Sequence, residues 1–263
     1  MGRRRISQEL SARALPRFFI APEVLSSGVL PPEVAHQVRH VLRLREGDAL
    51  CLLDGTGWAH YARLKSCVGR AARFELVGRE QLTTELPVVV VVLQALVRNE
   101  KAEQVVRLCT AAGARQLLFA PSERSLMEWS DAKRLARQQR WQAIAREEAE
   151  LACRALCPTV EILSDWWSAI EQLPEPRLLL DEWGGVCPLG EAIDTNALSL
   201  IVGPEGGFAL RERERMIQQY GCMPVSLGVR VLRTETAAFY ALAQIEAILT
   251  RLLRQPHENS TTD

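Results

Sequence analysis

A short glycine-rich segment is the first candidate for chemistry in this sequence. Gly203-Pro204-Glu205-Gly206-Gly207 directly follows a continuous apolar run and precedes a stretch rich in Arg and Glu. Glycines at such a strand-to-helix turn adopt positive φ and let a ligand approach the main chain without a Cβ in its way. The segment has neither the Lys-Ser/Thr of a P-loop nor the Gly-x-Gly-x-x-Gly of a dinucleotide fold. A ligand-binding loop and a plain tight turn both remain open.

The segment from Leu227 to Ala237 is the second candidate. It begins where a strand pattern ends in Leu-Gly, and it carries Arg230 and Arg233 on either side of an apolar pair. A threonine at its end can cap a following helix that has Glu235 in its first turn. An ordinary strand-loop-helix junction explains the cap but not the two arginines.

The elements that must position these two segments alternate between strand and helix. From residue 85 to 254, apolar runs of strand length are separated by helical patterns, which predicts an α/β domain with a mostly parallel sheet. The predicted strands include VVVVVLQAL, QLLFA, RLLLDE, LSLIVG and MPVSLG, and the predicted helices cover residues 101–112, 130–154, 211–220 and 234–254. Ligands of such sheets bind beyond the carboxyl ends of the strands. The ends of RLLLDE, LSLIVG and MPVSLG are therefore the predicted ligand site.

Residues 17–82 follow a different pattern of short alternating apolar stretches, which predicts a small β-rich domain. The run Asp54-Gly55-Thr56-Gly57 indicates a tight turn between two strands, and Gly69 and Gly78 are expected to bound another turn. One helix is predicted at residues 32–44. Its apolar face would carry Val34, Val38, Val41 and Leu42, and its solvent face would carry Arg39 and Arg43.

Composition indicates a soluble globular protein with an uneven distribution of charge. The 263 residues are 48% hydrophobic and have no formal net charge, yet residues 1–45 hold eight Arg against three Glu. A basic end suits a polyanion such as RNA, and a solvated arm is the alternative. The seven cysteines lack Cys-x-x-Cys spacing, so we expect no metal site and mostly buried reduced thiols. We find no signal-peptide pattern and no apolar segment of membrane length, which predicts a cytoplasmic protein without a membrane partner.

Together, GPEGGF and LGVRVLRTETA resemble the two signature segments of the ribosomal RNA small-subunit methyltransferase E family, which belongs to the SPOUT superfamily. The segments RFF at 17–19, HQVRHVLRLREGD at 36–48, DGTG at 54–57, SERS at 122–125, RWQ at 140–142 and EEAE at 147–150 follow in the family's order. The resemblance implies methylation of N3 of a uridine in 16S ribosomal RNA of the small subunit, with S-adenosylmethionine as the cofactor. It also implies a homodimer, a PUA-like β-barrel over residues 1–84 and a trefoil-knotted α/β methyltransferase domain over residues 85–254. The polar composition of residues 255–263 predicts a disordered tail.

The resemblance places the cofactor in three loops of the knot. The implied contacts are Leu180, Asp181, Glu182, Gly203, Pro204, Glu205, Gly206, Gly207, Leu227, Gly228, Val231, Leu232, Arg233 and Thr236. The chemistry agrees, because a flat neutral adenine suits an apolar slot and a carboxylate can offset the positive charge of a sulfonium.

Methylation of uracil N3 also requires a base and cations, because the N3 proton must leave and the developing anion must be stabilised. The cations expected to stabilise that anion are Arg124, Arg154 and Arg233. The base is expected to be Glu205 or Glu235. Surface ion pairs and helix capping are the structural alternatives for these side chains. The predicted contacts to the RNA backbone are Arg17, Arg39, His40 and Arg43.

Two segments and one single position depart from the family's pattern. Residues 107–113 read RLCTAAG where relatives tend to carry a lysine and a glutamate, residues 150–154 read ELACR where relatives tend to read EQSGR, and Gln37 replaces a frequent histidine. A SPOUT enzyme for another RNA site, including one for ribose 2′-O methylation, is therefore an alternative. A second is an RNA-binding or assembly factor that has lost catalysis. A third is a phosphohydrolase, although the chain lacks a P-loop lysine and a metal-ligand motif.

Overall fold

The computed structural model describes residues 11–68, 71–125, 129–181, 187–193 and 195–254. The predicted cofactor contact Glu182, the predicted turn residue Gly69 and the predicted tail at 255–263 lie outside these residues. Across the described ranges, no helix is both long enough and apolar enough to cross a membrane. The chain divides into two compact units. One comprises the chain up to Glu85 together with Arg146–Cys157, and the other comprises Leu86–Ala145 together with the chain from Pro158 onward.

The first unit contains a four-stranded sheet and several short helices. Its strands are β1 (Arg17–Phe19), β2 (Ala49–Leu53), β3 (Trp58–Val68) and β4 (Ala71–Gln81), in that order across the sheet. Strands β1 and β2 are parallel, and the other neighbours are antiparallel. Helix α1 spans Pro22–Ser27, helix α2 spans Pro32–His36, and a π-helical turn covers Gln37–Val41. The predicted β-rich character of this region is confirmed.

The predicted tight turn between two strands is confirmed at residues 54–57, where it joins β2 to β3 as a hairpin. Asp54 Oδ1 accepts hydrogen bonds from the backbone N and from Oγ1 of Thr56, both at 2.8 Å. The prediction that Gly78 bounds a turn is wrong, because Gly78 lies inside β4 opposite Tyr61, at a register shift. A glycine in a strand is typical of such a bulge.

The helix predicted at residues 32–44 is shorter than expected and changes its winding. Val34 and Val38 are buried as predicted, but Val41 is 67% exposed and Leu42 is 43% exposed. A π-helical turn holds more residues than an α-helical turn, so the side chains after Val38 no longer return to the buried face. Arg43 follows with a left-handed φ of 55°. The end of this segment therefore presents apolar and cationic side chains together to solvent.

Segment Arg146–Cys157 is held in the first unit by polar contacts. Arg154 is 2% exposed, and its guanidinium donates to both carboxylate oxygens of Glu85. Glu85 Oε1 also accepts from the backbone N of Ala155 at 2.9 Å and of Leu156 at 3.2 Å. A largely buried carboxylate and a buried guanidinium thus neutralise each other, which is the condition for keeping either one out of water.

Within the described chain, the second unit contains a seven-stranded sheet in which all neighbours are parallel. Its strands are β5 (Val89–Ala95), β6 (Gln116–Ala120), β7 (Thr159–Ile162), β8 (Arg177–Leu180), β9 (Cys187–Pro188), β10 (Ala197–Val202) and β11 (Met223–Ser226). Its helices are α3 (Asn99–Ala111), α4 (Asp131–Leu151, whose last turns belong to the first unit), α5 (Trp166–Glu171), α6 (Leu210–Tyr220) and α7 (Thr234–Arg254), with a 3-10 turn at Leu189–Ala192. The predicted α/β fold with a parallel sheet is confirmed, whereas no sequence pattern predicted β7, β9 and α5.

Strand β5 shows why this sheet carries continuous apolar runs. Val90 and Val92 pack in one apolar core, and the alternate residues Val91 and Leu93 pack in another. Helices α3, α4 and α7 contribute side chains to the first core, and α5 and α6 contribute to the second. Because successive side chains of a strand point to opposite faces, helices cover both faces of the sheet, and no polar alternation is needed.

The strand order across the sheet is β7-β6-β5-β10-β8-β11-β9. Strands β10, β8 and β11 are consecutive and parallel, so their carboxyl ends meet at one edge. These are the ends of LSLIVG, RLLLDE and MPVSLG, and their predicted convergence is confirmed. Strand β5 pairs with β10 on its other side and brings Gln94 level with Val202 at the same edge.

We predict that Arg154→Ala lowers the free energy of unfolding by roughly 3 kcal/mol, because Glu85 would stay largely buried without its charge partner. Urea unfolding followed by circular dichroism measures the change. Arg134→Ala is the matched control, since Arg134 pairs with an Asp131 side chain that is 92% exposed. Its loss should cost less than about 1 kcal/mol. Equal effects of the two substitutions would contradict the structural role of Arg154.

Candidate active site at the carboxyl edge of the parallel sheet

A cavity of about 340 Å³ opens where the three strand ends converge. The predicted site residues that line it are Leu180, Asp181, Gly203, Pro204, Glu205, Gly207, Val231, Leu232, Arg233 and Glu235. A smaller cavity of about 150 Å³ is lined by residues 226–232, which include the predicted Leu227 and Gly228. Leu180, Asp181, Val231 and Leu232 line both cavities. The structure thus brings most of the residues chosen from the sequence to one place.

Three other residues selected from the sequence lie next to the larger cavity but do not line it: Arg124, Gly206 and Thr236. The carbonyl of Gly206 accepts a hydrogen bond from Arg124 Nη1 at 2.9 Å, which fixes the exposed Arg124 against the glycine-rich loop. Thr236 Oγ1 donates to the carbonyl of Arg233 at 3.0 Å. That hydroxyl is therefore used inside the first turn of α7 and is not turned to the cavity.

Two predicted arginines are engaged inside the first unit. The guanidinium of Arg17 donates to five backbone carbonyls, including those of Ala12 and Glu150 at 2.5 Å each. Arg154 is bound to Glu85. The expected roles of Arg17 on RNA and of Arg154 in catalysis have no support in these surroundings, because both side chains hold segments of the first unit together.

The other predicted RNA contacts lie at the surface of the first unit. His40 and Arg43 are exposed, and Arg39 is half-buried. The ring of His40 lies 4.7 Å from that of His36, centroid to centroid, one turn earlier. The π-helical turn and the left-handed Arg43 therefore turn a cluster of basic side chains toward solvent.

A fully buried amide, that of Gln94, bonds two walls of the larger cavity to each other. Gln94 Nε2 donates to Thr234 Oγ1 at 2.9 Å and to the carbonyl of Gly203 at 3.2 Å. Thr234 Oγ1 in turn donates to the same carbonyl at 2.6 Å. The loop after β10 is thereby fixed to the start of α7. The sequence signal for this residue was a single glutamine within an apolar strand.

Lys101 joins two of the predicted carboxylates, although the sequence analysis did not select it. Its Nζ lies 3.4 Å from Glu205 Oε1 and 3.6 Å from Glu235 Oε2. The side chain of Glu235 is 7% exposed, and that of Glu205 is 28% exposed. Lys101 is in the first turn of α3, which follows β5. Only the pairing of β5 with β10 brings it to this edge, so no local pattern could have found it.

Asp181, at the end of β8, is bound by Arg213 of α6, which the sequence analysis also missed. Arg213 donates from Nε to Asp181 Oδ2 at 2.7 Å, and its Nη2 lies 2.5 Å from the same oxygen. The Asp181 side chain is 6% exposed, so the pair is largely removed from water. Helix α6 carries several arginines, and its sequence does not reveal which of them faces the strand ends.

The larger cavity combines charged and apolar walls. Its charged lining residues are Asp181, Glu205, Glu235, Lys101, Arg213 and Arg233, which sum to no net charge. The Arg233 side chain is 86% exposed and lies 4.0 Å from Glu235 Oε1. Leu180, Val202 and Phe208 supply apolar surface. Such a wall suits a ligand that has both a flat apolar part and charged groups.

The SERS segment at 122–125 is tied to α6 by a buried carboxylate. Glu212 is 3% exposed, and its Oε1 accepts a hydrogen bond from the backbone N of Glu123 at 3.0 Å. Burial raises the pKa of Glu212 above its usual value. Arg211 of the same helix binds Glu123 Oε2 at 2.7 Å. These contacts hold Arg124 beside the glycine-rich loop.

The cysteines do not supply a nucleophile to this site. None of the seven forms a disulfide bond, and four of them are buried, as predicted. Burial raises the pKa of the Cys109 thiol to about 12 and that of the Cys222 thiol to about 11, so both stay protonated at neutral pH. In the part of the chain that the structure describes, no three His, Cys, Asp or Glu side chains are grouped to hold a metal ion.

The comparison with known proteins identifies the class to which this chain belongs. Residues 84–246 match the family model described as an RNA methyltransferase domain. With its parallel sheet and the cavity at the strand ends, the chain is an RNA methyltransferase.

Its relatives define the family. Ribosomal RNA small subunit methyltransferase E of a Synechocystis strain is 35% identical over 243 residues, which are 89% of this chain and 78% of the relative. The protein of the same name from Bacillus subtilis is 28% identical over 84% of this chain and 90% of its own length. The chain belongs to the ribosomal RNA small subunit methyltransferase E family.

Solved structures agree with this assignment over nearly the whole chain. A ribosomal RNA small subunit methyltransferase E from Neisseria gonorrhoeae, bound to S-adenosyl methionine, superposes with a TM-score of 0.81 at 29% identity, covering 89% of this chain and 98% of that one. A putative methyltransferase from Legionella pneumophila in complex with the same cofactor gives a TM-score of 0.78 at 25% identity, covering 89% and 97%.

We predict that Gln94→Leu lowers the free energy of unfolding by about 1 to 3 kcal/mol, because it removes a buried donor shared by Thr234 and Gly203. Gln116→Leu is the control in the same sheet, since the half-buried Gln116 donates a hydrogen bond of 2.9 Å from Nε2 to Glu161 Oε1. Its loss should cost less than about 1 kcal/mol. Chemical denaturation of both variants gives the comparison. An equal loss at Gln116 would argue against a special role for the buried amide.

Proposed function

We propose that this chain transfers the methyl group of S-adenosylmethionine to N3 of a uridine in 16S ribosomal RNA of the small ribosomal subunit. The observation that carries the proposal is the pair of adjoining cavities at the ends of β8, β10 and β11. It is supported by membership of a family whose N. gonorrhoeae member is bound to S-adenosyl methionine.

The smaller cavity fits the adenine of this cofactor. Leu227, Val231 and Leu232 offer apolar side chains of the kind that a flat neutral ring packs against. Gly228 has a φ of 122°, and a Cβ placed there would meet no atom within 4 Å. This backbone is therefore open on the side where a side chain would otherwise stand, as expected where a ligand approaches closely.

The larger cavity fits the charged end of the cofactor and the base to be methylated. When bound, S-adenosylmethionine supplies a methyl group on a positively charged sulfur. Glu205 and Asp181 provide carboxylates that stabilise positive charge. Glu235 also lines this cavity, and its buried Oε2 receives no hydrogen bond from the described residues.

The side chains around the larger cavity have the functions that uridine N3 requires. Glu205 or Glu235 accepts the N3 proton. Arg233, with Arg124 beside the glycine-rich loop, stabilises the negative charge on the ring and contacts nearby phosphate. On the first unit, Arg39, His40 and Arg43 bind the RNA backbone, which gives affinity without sequence choice.

The architecture implied by the family resemblance belongs to the same proposal. Residues 1–84 would form a PUA-like barrel for RNA, residues 85–254 a trefoil-knotted SPOUT domain, and two chains a cytoplasmic homodimer. The four-stranded sheet of the first unit supports the barrel. Val229 and Val231 are 98% and 75% exposed, and association of two chains would cover such apolar side chains.

The direct test uses labelled S-adenosylmethionine and small ribosomal subunits that lack their native base methylation. We expect label in 16S RNA and 3-methyluridine in the nucleoside digest. Gly207→Val should abolish both this product and cofactor binding, because a β-branched residue enters the cavity wall at a φ of 65°. Gly221→Val is the matched control, since Gly221 has a φ of 63° and open space around it. A 2′-O-methylated nucleoside, or no methylated product from the wild type, would overturn the proposal.

The proposed RNA surface is tested by its salt dependence. Replacing Arg39 and Arg43 together by Ala should weaken RNA binding and lower the slope of log affinity against log salt by about two, because two phosphate contacts are lost. Replacing Lys65 and Arg73 on strands β3 and β4 removes the same charge elsewhere in the first unit and should change the slope by less. An unchanged slope in the first variant would remove both arginines from the interface.

A further inference from the structure

Two carboxylates at the larger cavity could accept the N3 proton, and the structure distinguishes them by their surroundings. Glu235 is in the first turn of α7, a 21-residue helix, and its side chain is 7% exposed. Glu205 is in the loop after β10, and its side chain is 28% exposed. A side chain at the start of a long helix is held in place more firmly than one in a loop, and Glu235 is the less exposed of the two.

Glu235 lines the larger cavity and keeps unused hydrogen-bond acceptor capacity. Its Oε2 receives no hydrogen bond from the described residues, and the Lys101 Nζ lies 3.6 Å away from it. Its Oε1 has Arg233 at 4.0 Å. A buried carboxylate oxygen without a hydrogen-bond donor needs a physical reason, and a catalytic role is one such reason.

Lys101 is the group that lets Glu205 and Glu235 lie near one another as anions. The Lys101 ammonium pairs with both side chains, since its Nζ lies 3.4 Å from Glu205 Oε1 and 3.6 Å from Glu235 Oε2. Without it, two carboxylates at one cavity wall would repel, and the pair would hold a proton at higher pH. The Gln94 amide fixes Thr234, the residue before Glu235, to the carbonyl of Gly203, so the same wall is also fixed through the main chain.

We propose that Glu235 is the catalytic residue that takes the N3 proton and that Lys101 is the positioning residue that keeps Glu235 and Glu205 as a charged pair. This inference rests on the proposed function. The N3 proton moves to the Glu235 carboxylate, the N3 electron pair forms the bond to the methyl carbon, and the carbon–sulfur bond breaks with its electrons remaining on sulfur. Glu235 later returns the proton to water.

The charged groups near Glu235 come from three different parts of the chain. Lys101 comes from α3, Glu205 from the loop after β10, and Arg233 from the loop before α7. Asp181 and Arg213 line the same cavity and are bound to each other. Among the described residues, Lys101 and Arg233 are the cations within about 4 Å of Glu235, and Lys101 is the one that also pairs with Glu205. Replacing Lys101 therefore removes the cation that the two carboxylates share.

The first experiment compares Glu235→Gln with Glu205→Gln, measuring kcat for methyl transfer to RNA and the cofactor Kd by calorimetry. Loss of a general base lowers kcat by about 100-fold or more. We expect that loss in Glu235→Gln, with a cofactor Kd within about threefold of wild type, and a loss below about tenfold in Glu205→Gln. A larger loss in Glu205→Gln would overturn the proposal. So would a Kd that weakens in Glu235→Gln as much as kcat falls, because Glu235 would then hold the cofactor.

The second experiment follows the pH dependence of kcat in Lys101→Met and Lys101→Arg. The acid limb, where activity is lost as pH falls, should move to higher pH by about one unit in Lys101→Met, because the carboxylate pair is protonated more readily. Lys101→Arg should return the limb toward wild type. Lys65→Met, which removes an exposed lysine paired with Glu75, should leave the limb unchanged.

An acid limb of Lys101→Met at the wild-type pH, in a variant that circular dichroism shows to be folded, would overturn the role of Lys101. A folded Lys101→Arg variant that keeps the shifted limb would do the same. Wild-type enzyme is the reference in every assay. Absence of any methylated RNA from the wild type is therefore a failure of the proposed function, whereas an active wild type with the wrong variant profile is a failure of this inference alone.

Discussion

The position of β10 between β5 and β8 is the constraint on which the cavity depends. Parallel strands that are neighbours end at the same edge, so the loops that begin at Asp181, Gly203 and Leu227 must converge. The pairing of β5 with β10 adds Gln94 to the same edge, and with it the start of α3. Strand order alone brings these residues together from distant parts of the chain. The ion pairs and hydrogen bonds of the cavity depend on this placement.

This dependence explains what could be predicted from the sequence. The alternation of apolar runs and helical patterns is local, so helix α7 is found at the predicted residues 234–254 and helix α6 within one residue of its predicted start. The strand ends carry the glycine-rich and arginine-rich segments, so their convergence could be predicted from the fold class. Strand order is not local. Lys101 and Arg213 were missed because only β5 beside β10, and α6 beside the end of β8, bring them to the wall.

The arginines show a second limit, which comes from hydrogen bonding. Arg17 and Arg154 have the residue type that RNA contacts require, yet one donates to five backbone carbonyls and the other to a largely buried carboxylate. A guanidinium has five donors in a fixed arrangement, and it serves equally well inside a fold or against phosphate. The hydrogen-bond acceptors around an arginine decide whether it stabilises the fold or can bind phosphate. For Arg17 and Arg154, several of these acceptors lie far away in the sequence. Charge in a sequence therefore predicts a polar surface less securely than apolar periodicity predicts a core.

The contact between Arg154 and Glu85 constrains when the first unit can finish folding during synthesis of the chain. The chain passes out of the first unit after residue 85, returns for residues 146–157 and leaves again. As a ribosome synthesises the chain from its N-terminus, the four-stranded sheet is finished well before the guanidinium that neutralises Glu85 exists. The ion pair between Glu85 and Arg154 can therefore form only after more than half of the polypeptide has been synthesised. An N-terminal fragment that ends before residue 154 would contain the Glu85 carboxylate without its partner.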